Sequence, residues 1–206
     1  RYPKIQTKLV YAFKDGRPLT LNLITPPVLP NVKAHFPLLI YVPDVDEHNM
    51  VKIDERFAQM LEIAKRGYAV ALISYRTNTD VTAMVKDIHS ATRFLLDHAF
   101  KYELDPYRYL LFGEGLGGYL SSLSILEQGQ QRSNDEDVRR SPLRYKGGVL
   151  LETSLTPQPF SGPFLSELLL QNTQKLPPLL ILNGTADNTL TDKQATELLS
   201  TIQSRG

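Results

Sequence analysis

The sequence contains no cysteine and carries almost no net charge, and each absence excludes a class of protein. Without cysteine, the chain has no disulfide framework, no thiol nucleophile and no thiolate metal site. Its 23 Lys and Arg residues against 22 Asp and Glu leave a net charge of +1, too small to attract nucleic acid or an anionic membrane. We therefore expect a small-molecule ligand, with no nucleic-acid partner, no metal and no cofactor.

The sequence also lacks a long hydrophobic run. No apolar stretch approaches the roughly 20 residues that a membrane-spanning helix needs, and no charged and then apolar leader opens the chain. This pattern predicts a soluble protein, with the compartment left open and the cytoplasm slightly favoured. At 206 residues, 42% of them hydrophobic, the chain fits one domain over residues 1–206 with a single core.

The spacing of apolar residues predicts an α/β sheet. Asp15-Gly16 lies between two runs of alternating apolar and polar residues and predicts a hairpin. Five further strands are predicted to be apolar on both faces, as in a sheet covered by helices, at residues 36–42, 68–74, 109–112, 148–151 and 179–182. Helical spacing between them indicates a mostly parallel, doubly wound sheet. We place antiparallel strands in residues 1–35, the parallel core in 36–206 and a surface excursion at 128–144.

The segment from Phe112 to Gly118 follows one of these strands and opens a helix with the sequence Phe-Gly-Glu-Gly-Leu-Gly-Gly. In GxSxG elbows, small residues allow a sharp strand-to-helix turn that lifts a central serine above the sheet. Here the central position is Gly115, and its neighbours are Gly113, Glu114, Leu116 and Gly117. Glycine tolerates the positive φ of such a turn, so we expect the turn to remain and the nucleophile to be missing. We expect Glu114 to pair with a neighbouring arginine or to cap backbone amides rather than to do chemistry.

Several segments, taken in order, resemble the bacterial esterase and lipase branch of the α/β-hydrolase superfamily over residues 36–202. Besides the elbow, they are residues 66–76, Asp87, 105–108 and 184–187. Asp87 matches the acidic residue that opens a long helix in this carboxylesterase-like branch, and residues 105–108 match its turn before the elbow strand. The resemblance implies an α/β-hydrolase fold, with Gly115 at the nucleophile and Asp187 at the acid of the catalytic triad. It also implies that a final strand and helix are missing after residue 206.

The resemblance places the oxyanion hole in the loop after residues 36–42, where these esterases use a His-Gly-Gly run. Here Pro43, Asp44 and Val45 occupy that position. Proline has no amide hydrogen, and nearby carboxylates repel negative charge. The family's catalytic histidine follows the triad acid, whereas all histidines of this chain precede Asp187: His35, His48, His89 and His98. The last two fall on a helix whose apolar stripe is already filled, so they are predicted at the surface or at the boundary of the core.

These features predict an esterase-like protein that is catalytically impaired or inactive and keeps a pocket for a small, ester-like ligand. One alternative is a carboxylesterase of small carboxylic esters whose serine was removed by engineering. Another is nucleotide binding through Gly113-x-Gly115-x-x-Gly118, with Glu152 on a ribose hydroxyl. We expect no metal in the loop after residues 36–42, because its acids lack the spacing of a calcium loop; they are Asp44, Asp46 and Glu47, followed by His48.

Overall fold

The computed structural model describes residues 2–28, 34–130, 133, 141–172, 175–184 and 192–204. Within these residues, seven strands form one sheet and five helices pack around it. The strands are β1 (Lys4–Lys14), β2 (Arg17–Thr25), β3 (Phe36–Val42), β4 (Ala69–Ile73), β5 (Leu104–Glu114), β6 (Gly148–Leu151) and β7 (Leu179–Leu182). The helices are α1 (Phe57–Lys65), α2 (Val81–Asp97), α3 (Leu116–Glu127), α4 (Leu165–Gln171) and α5 (Asp192–Gln203).

The strand order is β1-β2-β4-β3-β5-β6-β7. Strand β2 pairs antiparallel with both β1 and β4, and every other pair is parallel. The hairpin turn has φ of +51° at Asp15 and +71° at Gly16, as a tight turn between twisted strands requires. This architecture confirms the predicted α/β-hydrolase fold, antiparallel at its leading edge and parallel through its core. Division of the chain into one domain of 1–206 stays a prediction.

Alternate side chains of the strands enter two hydrophobic layers. Leu38, Ile40 and Val42 of β3 face the larger layer, which also contains buried side chains of α2, α3, α4 and α5. Leu39 and Tyr41 face the smaller layer under α1. Because β3, β5 and β6 are parallel, their carboxyl ends lie at one edge of the sheet, where sites in such folds are found.

The structure corrects three local predictions and shows one helix that was not predicted. Helix α2 begins at Val81 after the N-cap Asp80, whose carboxylate accepts the Ala83 N–H at 2.8 Å, so Asp87 lies within the helix rather than opening it. Residues 105–108 belong to β5 and not to a turn before it. Helix α4 had no counterpart in the sequence prediction. His89, predicted at the surface or at the boundary of the core, is 2% exposed.

The predicted excursion at 128–144 lies mostly outside the described residues. Two of its described residues do not lie at the surface, since Ser133 and Leu143 are both buried. Leu143 joins the larger hydrophobic layer, and its N–H donates to the Gln128 carbonyl at 2.9 Å. The described ends of this segment therefore pack against the core.

Candidate functional site

The turn from β5 into α3 has the backbone conformation of a strained elbow. Gly115 adopts φ +53° and ψ −119°, a conformation that side-chain-bearing residues rarely adopt. Its N–H donates to the Leu151 carbonyl at 3.1 Å, and its own carbonyl accepts the Ser154 N–H at 3.1 Å. Backbone hydrogen bonds to β6 and to the segment after β6 therefore hold this turn in place.

The carboxylate of Asp44 lies directly over Gly115. Its Oδ1 accepts a hydrogen bond from the backbone N–H of Leu116 at 2.9 Å. That N–H is one of the unpaired donors at the start of α3, so Asp44 stabilises the positive end of the helix dipole from outside the helix. A Cβ added to Gly115 would lie 2.4 Å from both Cγ and Oδ2 of Asp44. The space above Gly115 is therefore filled by another residue's side chain.

The other glycines of the elbow are required by close packing of α3 on the sheet. A Cβ on Gly117 would lie 2.0 Å from the Val42 carbonyl oxygen, and one on Gly113 would lie 2.2 Å from the Gly117 carbonyl oxygen. A Cβ on Gly118 would lie 2.3 Å from Oγ1 of Thr153. Each of these positions must be glycine because helix α3 lies too close to the sheet and to Thr153 to leave room for a Cβ.

Glu114 forms the floor of the site together with Arg56 and Tyr41. The Arg56 guanidinium donates through Nε at 3.0 Å to Oε1 and through Nη2 to the same oxygen, and the Tyr41 hydroxyl donates to Oε2. Burial raises the pKa of Glu114, but these hydrogen bonds outweigh it and lower the pKa below its ordinary 4.5. Burial and the bond to Glu114 raise the pKa of Tyr41. Glu114 is therefore an ionised structural carboxylate, and the expected pairing with an arginine is confirmed.

The loop after β3 forms one wall of the site and is held by its own backbone and side chains. Asp46 accepts the N–H groups of His48 at 2.9 Å and Met50 at 2.8 Å, which lowers the pKa of its carboxyl. The buried Tyr75 hydroxyl donates to the Pro43 carbonyl at 2.7 Å and holds the start of the loop. The loop thereby places the Asp44 carboxylate against the elbow.

A cavity of about 580 Å³ opens above this floor at the carboxyl ends of β3, β5 and β6. Its described lining holds two cations and six acids. The acids are Asp44, Asp46, Glu47, Glu55, Glu114 and Glu152. The cations are Lys52, which pairs with Glu55 at 3.2 Å, and Arg56. Such a surface disfavours an anion, including a developing oxyanion.

The structure brings together several residues that the sequence placed in the site and leaves others elsewhere. Asp44, Val45, Glu114 and Gly115 all line the cavity. Asp187 lies outside the described residues. Among the described residues no histidine lines the cavity: His89 is buried between α2 and α3, and His98 is exposed at the end of α2.

Seven described residues of the cavity wall were not predicted from the sequence. They are Asn49, Lys52, Glu55, Arg56, Ser154, Gln158 and Pro159. Arg56 could have been suspected as the partner of Glu114, but any of several arginines fitted that role equally well. Ser154 and Pro159 lie in an irregular segment after β6, where the apolar pattern that identifies strands and helices is absent.

No helix in the described part of the chain is long and apolar enough to cross a membrane. No group of three or more His, Asp or Glu side chains in this part of the chain is arranged to hold a metal ion.

A model of the BD-FAE family matches residues 28–148 of the chain. The probable isoprenylcysteine alpha-carbonyl methylesterase of Arabidopsis thaliana is 26% identical over 177 residues, a match that covers 70% of this chain and 37% of that protein. A protein of the same description from Oryza sativa subsp. japonica is 29% identical over 86 residues, covering 41% of this chain and 21% of that protein. The chain thus spans only a minor part of the length of these plant relatives.

Solved esterase structures superpose on most of the chain. The apo form of Thermogutta terrifontis esterase 2 has a TM-score of 0.82 at 20% identity, covering 100% of this chain and 81% of that one. Esterase B from Lactobacillus rhamnosis, inhibited by a tributyrin phosphonate, has a TM-score of 0.78 at 21% identity, covering 98% of this chain and 71% of that one. At these identities the likeness establishes the fold. The fold is that of the α/β-hydrolases. Because the family model matches more than half of the residues, the chain belongs to the BD-FAE family.

Proposed function

We propose that this protein is an esterase relative that has lost ester hydrolysis and keeps the cavity above the elbow for a small, ester-like ligand. The observation that carries the proposal is the elbow turn itself. Gly115 combines φ +53° with a sharp passage from strand to helix, the setting in which α/β-hydrolases place their nucleophile. Glycine has no oxygen with which to attack an acyl carbon.

The position of Asp44 supports the loss of a second catalytic element. In an active elbow, the backbone N–H after the nucleophile donates to the oxyanion of the tetrahedral intermediate. The corresponding donor here, the N–H of Leu116, is already bonded to the Asp44 carboxylate at 2.9 Å. A second negative charge at that place would be repelled rather than stabilised.

No described side chain of the cavity replaces the missing nucleophile. Ser154 contributes the one hydroxyl of the described lining, and no described imidazole lies along the cavity to take its proton. Ser121 and Ser122 are buried within α3, below the elbow. Asp187 remains our proposal for the triad acid, since it follows β7 at the position where the family's acid lies.

The experiment is an esterase assay with p-nitrophenyl acetate on the whole chain. We expect release of p-nitrophenol at the rate of buffer alone, with the heat-unfolded protein as a control for reaction at surface groups. Saturable turnover by the native protein would contradict the loss of catalysis. Turnover recovered in Gly115→Ser would favour the alternative of an engineered serine removal.

Retention of the cavity is tested separately, by titration with ethyl acetate followed in amide NMR spectra. We expect shifts of Gly115 and Ser154, which border the cavity, while Phe100 at the opposite side of the fold stays unchanged. Equal shifts at all three amides, or none at any, would contradict a ligand site.

The nucleotide alternative has less support. A pyrophosphate needs the free N–H groups at the start of α3, and the Asp44 carboxylate already occupies the N–H of Leu116. Each of the three glycines is explained by a close contact instead: Gly113 with Gly117, Gly115 with Asp44 and Gly118 with Thr153. Fluorescence titration with NADH is expected to show no saturable binding.

A further inference from the structure

We infer that Asp44 is a positioning residue for the elbow, and that its native place and any side chain at position 115 exclude each other. This inference deepens the proposed function and rests on it, because that proposal places the lost nucleophile at position 115. The contact links two residues 71 positions apart in the chain. The local sequence around either residue therefore does not explain why aspartate stands at 44 or glycine at 115.

The steric part follows from three distances. A Cβ on Gly115 would lie 2.4 Å from Asp44 Cγ, 2.4 Å from Oδ2 and 2.6 Å from Oδ1. Unbonded heavy atoms attract best at about 3.5–4.0 Å, so all three contacts are strongly repulsive. A serine at this position would therefore displace the whole carboxylate and not only one of its atoms.

The backbone at Asp44 is fixed by the loop and its carboxylate is held by the elbow, so displacing the carboxylate breaks its hydrogen bond to Leu116. Its Oδ1 accepts the Leu116 N–H, and its carbonyl accepts the Lys52 N–H at 2.9 Å. The preceding Pro43 carbonyl is bound by the buried Tyr75 hydroxyl. The N-cap of α3 is Gly115, which has no side chain to cap the helix, so moving Asp44 removes the hydrogen bond that serves this function.

These contacts indicate that glycine at 115 and aspartate at 44 belong to one adapted arrangement. Removal of a serine by a single engineered change would leave the loop after β3 as an active esterase has it. Here that loop supplies a carboxylate that fills the serine's space and binds the amide of the oxyanion hole. Reversing the glycine alone is therefore insufficient to rebuild the site.

A double-mutant cycle measures this dependence. The variants are Gly115→Ala, Asp44→Gly and the pair together, compared by thermal unfolding. We expect Gly115→Ala to lower Tm by roughly 5–10 °C in the native background and by clearly less when Asp44 is glycine, because the clash is then absent. Gly16→Ala is the matched control for backbone strain, since Gly16 has φ +71° with no atom near its Cβ position. Equal losses in both backgrounds would overturn the inference.

The amide of Leu116 gives a second readout that does not depend on unfolding. In NMR spectra, Asp44→Ala is expected to shift this amide upfield and speed its hydrogen exchange, whereas Asp44→Asn keeps an acceptor oxygen and preserves much of its protection. His48→Ala, at an exposed position of the same loop, keeps the backbone hydrogen bond to Asp46 and is expected to leave the Leu116 amide unchanged. An unaltered Leu116 amide in Asp44→Ala would refute the cap.

The two proposals fail separately. Hydrolysis of p-nitrophenyl acetate by the native protein would contradict the loss of catalysis while leaving the Asp44 contact intact. Additive Tm changes would refute the exclusion between positions 44 and 115 even where the native protein is inactive.

Discussion

Arg76, in the loop after β4, and Asp87, in α2, form a bidentate ion pair. Nε and Nη2 of Arg76 donate to Oδ2 and Oδ1 of Asp87 at 2.9 and 2.8 Å, and the Arg76 backbone N–H also donates to Oδ2 at 3.0 Å. The Asp87 side chain is completely buried, whereas that of Arg76 is 13% exposed. The pair ties the loop after β4 to the middle of α2, and the bond to Asp87 is the main cause that raises the pKa of Arg76.

Asp87→Ala is expected to destabilise the protein strongly, because it leaves the mostly buried guanidinium without its main counter-charge. Breaking such a pair by removing one partner costs about 3–5 kcal/mol, a fall in Tm of roughly 10 °C for a chain of this length. The matched control is Asp15→Asn, which removes the exposed second carboxylate of Arg76 and is expected to cost less than about 1 kcal/mol. Similar Tm losses in the two variants would contradict this assignment.

Much of the fold follows from the sequence because its strands leave a strong pattern. Strands β3 and β4 are buried on both faces and consist almost entirely of apolar residues. The hairpin follows from Asp15-Gly16, since few residues other than glycine, asparagine and aspartate accept its backbone angles. Helix α4 leaves no such signal because it has seven residues and no side-chain cap.

The site is less predictable, because its contacts join loops far apart in the chain. The elbow is recognisable from its glycines, and an acidic loop after β3 is visible in the sequence. Nothing in either segment reveals that Asp44 reaches the N–H of Leu116, since loop conformation depends on Tyr75 and on the turn around Asp46. The sequence thus predicted the position of the elbow and of the acidic loop, but not the contact between the Asp44 carboxylate and the N–H of Leu116.

Gly117→Ala is expected to destabilise the protein by about 3 kcal/mol or more, because its Cβ would overlap the Val42 carbonyl oxygen and push α3 away from β3. Thermal or urea unfolding measures the loss. Gly184→Ala is a suitable control, since the nearest atom to its added Cβ is Oε1 of Glu152 at 3.8 Å, an ordinary contact. A cost no larger than that of the control would show that α3 tolerates a wider separation.

Glu114 is expected to make stability depend on pH on the acid side. Its pKa is below the ordinary 4.5 in the folded protein, so its stabilising effect is complete above the unfolded pKa and is lost as the pH falls through the lower folded value. Glu114→Gln should lower the free energy of unfolding at pH 7 and flatten its decline below about pH 5. Urea unfolding between pH 3 and pH 7, with the exposed Glu62→Gln as control, measures both effects. An unchanged pH profile in Glu114→Gln would contradict the role of its pairing with Arg56.

His89 gives a second pH dependence, in a higher range, and its burial was the least expected feature of α2. The sequence placed it outside the apolar stripe, but α2 is covered on several sides, so polar positions such as Ser90 and Arg93 are buried as well. The ring nitrogens of His89 face the carbonyls of Ser133 at 3.0 Å and Ser124 at 3.1 Å. A neutral ring donates to only one of them, and only a protonated ring could donate to both.

Burial nevertheless outweighs those carbonyls and lowers the pKa of His89 below its ordinary 6.5, with Arg93 adding to the decrease and Glu127 opposing it. The unfolded chain therefore binds a proton more readily than the native protein does, so stability is complete above about pH 6.5 and declines as the pH falls toward the folded pKa. His89→Gln removes this titration while keeping one amide donor, and it should flatten the free energy of unfolding between pH 7 and pH 5. His98→Gln, at an exposed position on the same helix, should keep the native slope. If His89→Gln retains that slope as well, the pH dependence in this range arises from other groups.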